Sequence, residues 1–151
     1  MGGVAENGQA ALTWLASSNA TSYNVKRSLA NGGPYSTVAS VTATNVTDTG
    51  LTNGVTYYYV VSALNPAGES ADSTAVALVP EPPLSLTQTT TNLTLAWPLA
   101  SAGFTLQSRT NLVLGNWLNV SSPVPQIIGG EWRVTLPVST ETPATFYRLA
   151  K

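Results

Sequence analysis

Histidine and cysteine are both absent from this chain of 151 residues. Without cysteine there can be no disulfide, thiolate metal site or cysteine nucleophile. Without histidine there is no imidazole metal site and no Ser/His or Cys/His catalytic pair. Charge is scarce as well. Only 9% of residues are Asp, Glu, Lys or Arg, where soluble proteins average about 25%. The 6 basic residues nearly balance the 7 acidic ones. So sparse and even a set leaves no basic stripe for nucleic acid and no polybasic patch for a membrane surface. No uninterrupted apolar run approaches the ~20 residues of a membrane span. The opening Met1-Gly2-Gly3-Val4 has neither the charged nor the apolar region of a secretion signal, so a mature segment is expected.

What fills the sequence is uncharged and polar. Thr (21), Ser (15) and Asn (11) dominate the polar residues, against 43% hydrophobic residues that suffice for a packed core. Such a surface suits an exported protein. Apolar residues alternate with period 2, most densely from Val55 to Leu64, and runs of strand length are broken by turn signals. These include Asn7-Gly8, Asn53-Gly54, Asn65-Pro66-Ala67-Gly68 and Gly129-Gly130. No 3.6-residue period persists. The fold class expected is all-β, as antiparallel sandwiches.

Val79-Pro80-Glu81-Pro82-Pro83-Leu84 marks a boundary, because three prolines in four residues cannot occupy a central strand. Domains are therefore expected at 1–80 and 81–151. The halves echo each other. Leu12-Thr13-Trp14 matches Leu95-Ala96-Trp97, and Gly33-Pro34-Tyr35 matches Gly115-Asn116-Trp117. Strands in the second half are expected near 84–87, 92–97, 103–108, 116–120, 125–128, 131–137 and 145–150.

The first half resembles a bacterial, extracellular fibronectin type III domain. The resemblance rests on Leu12-Thr13-Trp14 as strand B, Ser22-Tyr23-Asn24-Val25-Lys26-Arg27-Ser28 as strand C, and Leu51 with Tyr57-Tyr58-Tyr59-Val60-Val61 as the E–F corner and strand F. It implies two tandem immunoglobulin-like sandwiches. Leu51 and Tyr57 stand at the spacing of a tyrosine corner. Trp14, Tyr23, Leu51, Tyr57 and Tyr59 are expected in the first core, and Trp97 and Phe104 in the second. Strand A should be short or missing before Gln9, which would leave strand B near an edge. The second half resembles a C-terminal sandwich module of large secreted bacterial proteins, and its strand G has no counterpart.

No catalytic constellation stands out. The carboxylates Glu6, Asp48, Glu69, Asp72, Glu81, Glu131 and Glu141 are expected to be solvated loop charges rather than an acid/base pair. No spacing suggests a calcium site. Neither cofactor nor metal is expected, and the chain is not expected to be an enzyme. The residues singled out for a ligand are Trp117, Trp132 and Tyr58, as aromatic platforms on which a sugar ring could stack. Three roles follow. The first is a non-catalytic spacer or protein-interaction region of a secreted bacterial multidomain protein that degrades polysaccharide or sits on a surface. The second is a carbohydrate-binding module. The third is an adhesive module that accepts a strand at an unpaired edge. The partners are then a polysaccharide or neighbouring domains of the parent, and the chain is expected to be monomeric unless edge strands associate.

Overall fold

The computed structural model describes residues 1–99, 101, 103–138 and 144–151, and among these the alternation and turn chemistry resolve into strands without helices. The chain divides into two units, Met1–Glu81 and Pro82–Lys151.

The first unit is a sandwich of two antiparallel sheets. One has the order β1 (Gly2–Glu6), β2 (Gln9–Thr13), β5 (Asn45–Thr49). The other has the order β4 (Ser36–Val41), β3 (Ser22–Ser28), β6 (Tyr57–Asn65), β7 (Gly68–Glu69), with β8 (Val76–Leu78) also pairing β6. The sheets close over Ala10, Leu12, Tyr23, Val25, Leu51, Tyr57, Tyr59, Val61 and Leu78. Alternation aims Tyr57, Tyr59 and Val61 at this core. Burying a large apolar side chain contributes about 1.5–3 kcal/mol. Tyr57 also accepts a hydrogen bond at its Oη from the Thr52 backbone N–H, at 3.0 Å. Trp14 lies half-buried at the margin, edge-on to Tyr23 with ring centroids 5.6 Å apart.

The expectation of a missing strand A is overturned. β1 pairs with β2 from Gly2↔Thr13 to Glu6↔Gln9. Asn7-Gly8 is the two-residue turn between them, and Gly8 takes the positive φ of 66° that this turn demands. Strand B is thus interior to its sheet. The strand escaped notice because Gly-Gly-Val-Ala-Glu carries a single β-branched residue. Glycine at position 3 has a packing reason: a Cβ there would lie 2.8 Å from Leu78 Cδ1 and 2.9 Å from Leu12 Cδ2.

The second unit repeats the plan with a different edge. One sheet has the order β13 (Gln126–Ile128), β14 (Glu131–Pro137), β10 (Asn92–Pro98), β9 (Ser85–Gln88). The other has the order β12 (Leu118–Asn119), β11 (Thr105–Arg109), β15 (Phe146–Ala150). Gly129 and Gly130, both at positive φ, turn β13 into β14. The fully buried core is small: Leu95, Trp97, Leu106 and Val134. Among the described residues no strand follows β15.

Candidate functional site

The carboxylates do not assemble a catalytic pair. Among the described residues no three acidic groups gather as a metal site, and Glu141 lies outside those residues. The expectation of solvated loop charges nevertheless fails for Asp48, whereas Glu69 and Asp72 are exposed charges that share an ion pair. Asp48 sits within β5, paired to Ala10 of β2 and so on the inner side of the sheet. Its Oδ2 takes Arg27 Nη1 at 2.7 Å and the Tyr59 hydroxyl at 2.8 Å. The Arg27 guanidinium also lies 5.4 Å over the Tyr57 ring. Arg27 faces inward because it pairs with Tyr59. This knot stitches the two sheets and exposes no reactive group.

Glu69 and Asp72 converge on Lys26 from the outer side, at 2.8 and 2.7 Å. Glu69 also accepts from the Ser62 hydroxyl. The Lys26 ammonium, then Ser62 and Asn24, pull the Glu69 carboxyl down from its ordinary 4.5 to about 2. A carboxyl held low in the folded state stabilises it fully above the unfolded value and loses that effect as pH falls. The first unit should therefore weaken as pH drops from about 4.5 toward 2. Hydrogen exchange of β6 amides across that range measures it, and Glu69→Gln should flatten the curve. An unchanged slope in the variant would refute the assignment. The pair is exposed, so added salt should also blunt it.

The three aromatic platforms do not form a strip. Tyr58 belongs to the first unit, where it pairs with Ser28 and Ala77 in the interior of its sheet and is half-buried. Trp132 belongs to the second unit and faces inward, because it pairs with the buried Trp97 and with Ile127. It is half-buried in a cleft of about 300 Å³ whose walls include Trp97, Phe104, Leu106, Val124 and Pro125. Asn119 and Ser121 supply polar groups at its lining. Phe104, expected in the core, is half-buried along this cleft.

Trp117 stands apart from that cleft. In β11 the buried Leu106 points inward, so Thr105, Gln107 and Arg109 point outward. Gln107 pairs with Arg148 of β15 and with Asn119 of β12, which puts all three on the outer face. Two guanidiniums lie against the Trp117 ring, Arg148 at 4.4 Å and Arg109 at 5.3 Å from its centroid. Cation–π attraction of this kind holds the arginines in place. It also covers the ring on which a sugar was expected to stack. Sequence reasoning found the tryptophan and missed its partners. The period-2 run Thr105-Leu106-Gln107-Ser108-Arg109 was the available signal for Gln107 and Arg109.

No family model matches the chain. It is 41% identical over 136 residues to an amylopullulanase of Thermoanaerobacterium thermosulfurigenes, a stretch that is 89% of this chain and 6% of the enzyme. It is 33% identical over 135 residues to the amylopullulanase of Thermoanaerobacterium saccharolyticum, 89% of this chain and 9% of that one. The chain thus spans less than a tenth of the length of these curated relatives. Among solved structures, a Fn3-like protein from Clostridium thermocellum is 48% identical with a TM-score of 0.48, over 51% of this chain and 85% of that one. The chicken interferon gamma receptor alpha chain, at 13% identity and a TM-score of 0.50, shares the fold over 97% of this chain and 84% of that one. By its sequence identity across most of the Clostridium thermocellum protein, the chain belongs to the fibronectin type III-like family.

Proposed function

We propose that the chain is a non-catalytic accessory region of a secreted polysaccharide-degrading enzyme, a pair of sandwiches that spaces or docks the domains beside it. The observation that carries this reading is the alignment of 89% of the chain with a segment making up 6% of an amylopullulanase. The chemistry of the described residues agrees. In the first unit Asp48 is tied to Arg27, and Glu69 and Asp72 to Lys26; in the second, Glu131 is bonded to Arg133 at 3.2 Å. Glu69 and Asp72, the carboxylates seen to meet among the described residues, do so on the Lys26 ammonium, which ties up the pair that glycoside hydrolysis would need free.

A second reading rests on the cleft of the second unit. Trp132 and Phe104 beside Asn119 and Ser121 combine apolar faces with hydrogen-bonding groups, as small-ligand sites do. One experiment separates the two. The chain is incubated with pullulan and amylopectin, and then run by affinity electrophoresis in gels containing each. The accessory reading expects no new reducing ends and no retardation. Hydrolysis would overturn it. Retardation lost on Trp132→Ala would replace the spacer with a binding module for neutral glucan.

A further inference from the structure

We propose that the outer face of the β12–β11–β15 sheet binds a carboxylate-bearing polysaccharide, with Arg109 and Arg148 as the groups that hold its carboxylates. The inference goes beyond the accessory role. It starts from the direction of a hydrogen-bond chain.

Arginine can only donate. Arg148 Nε donates to Gln107 Oε1 at 3.0 Å. That uses the amide oxygen of Gln107 and turns its NH₂ toward Asn119. Gln107 Nε2 accordingly donates to Asn119 Oδ1 at 3.0 Å. The amide oxygen of Asn119 accepts that bond, and its NH₂ points away from Gln107 at the end of the chain. Arg109 uses Nε on the Asn111 carbonyl and Nη2 on the Leu114 carbonyl at 3.3 Å. Among the described residues its Nη1 and both Nη groups of Arg148 have no acceptor and so can serve an outside one. Each amide oxygen of the side-chain row already accepts one bond, and the row ends in donors, the Asn119 NH₂ on one side and the Arg148 guanidinium on the other.

The charge is equally one-sided. Among the described residues neither Arg109 nor Arg148 has a carboxylate within ion-pair distance. Glu131 lies on the other sheet and is bonded to Arg133. Two guanidiniums with no counter-charge among the described residues, each oriented by the Trp117 ring, are prepared for planar anions. The face suits an extended chain better than a single ion, because the row Asn119–Gln107–Arg148 crosses three strands, about 10 Å. Side-chain amides beside the arginines match the hydroxyls of a sugar chain. The tryptophan ring serves as a clamp for the cations, not as a stacking platform.

The test is affinity electrophoresis of the whole chain in polygalacturonate, in the same polymer with its carboxyls methyl-esterified, and in poly-glutamate. Polygalacturonate should retard the chain, the ester should not, and added salt should restore free migration. Arg109→Gln with Arg148→Gln should abolish the retardation. Equal retardation by the ester would overturn the role of the carboxylate. Equal retardation by poly-glutamate would overturn the glycan in favour of an acidic peptide. Retardation that survives in a folded double variant would place any binding elsewhere and overturn the site. If that variant fails to fold, the acid-against-ester comparison on the unaltered chain still decides. The accessory role is read on hydrolysis and neutral glucan, so either reading can fail alone.

Discussion

Asp48→Ala is expected to destabilise the first unit by about 3 kcal/mol. Removing one member of a buried pair costs about 3–5 kcal/mol because the other charge stays behind without a partner. Here Arg27 keeps a third of its side chain in water, and Asp48 keeps 12%. The lower end of that range therefore applies. The loss has two parts. Arg27 is stranded between the sheets, and the Tyr59 hydroxyl, on a side chain with no exposed surface, loses its acceptor. Native-state hydrogen exchange reads the loss locally: amides of β3 and β6 should exchange about a hundredfold faster, with the second unit unchanged. Acceleration below about fivefold would show the knot to be incidental. Removing the whole knot should cost much less than removing one member. Arg27→Met, Asp48→Leu and Tyr59→Phe together replace every polar atom by apolar volume, and such exchanges are often neutral.

The same knot sets behaviour in alkali. Burial, followed by the hydrogen bond to Asp48, holds the Tyr59 phenol far above its ordinary value of 10.0. A group whose folded value is raised stabilises the fold below the unfolded value and loses that contribution as pH climbs past it. Loss of the first unit above about pH 10 should accordingly be shallower in Tyr59→Phe.

How far these features could be read from the sequence depends on their range. Alternation and turn residues are local signals, and they located β9 to β15 to within about two residues. Gly129-Gly130 fixed a hairpin because both positions need positive φ. The tyrosine-corner spacing of Leu51 and Tyr57 is local as well, and Tyr57 does bond the Thr52 amide. The Arg27–Asp48 pair is not local, since 21 residues separate its members and only the facing of two sheets joins them. Composition made Asp48 resemble any other surface charge. The outer-face cluster escaped for the same reason. Arg109, Trp117 and Arg148 come from separate segments, and their meeting depends on the order β12–β11–β15. An aromatic residue advertises itself in a sequence, but a cation that will cover its face does not.

The largest single loss expected in the second unit comes from Trp97→Ala. Trp97 is 3% exposed on β10, between β14 and β9, and it is the bulkiest of the four residues that form the buried core. Truncating a buried tryptophan costs about 3–5 kcal/mol through lost transfer energy and the space left behind. A unit of this size has roughly 3–10 kcal/mol in all. Little margin exists for repacking. Trp97 already borders the cleft that Trp132 and Phe104 line, so truncation would extend an opening that solvent reaches rather than create a sealed void. Water entering beside Leu95 and Leu106 would weaken both sheets. Amides of β10, β11 and β14 should lose most of their exchange protection while those of the first unit keep theirs. Trp117→Ala gives the contrast, because that ring lies on the outer face and its removal frees two arginines to water. It should change stability by less than about 1 kcal/mol, the scale of exposed cation–π contacts. If the two variants proved equally damaging, Trp117 would belong to the packing of the unit, and the assignment of an inner and an outer face to its tryptophans would fail.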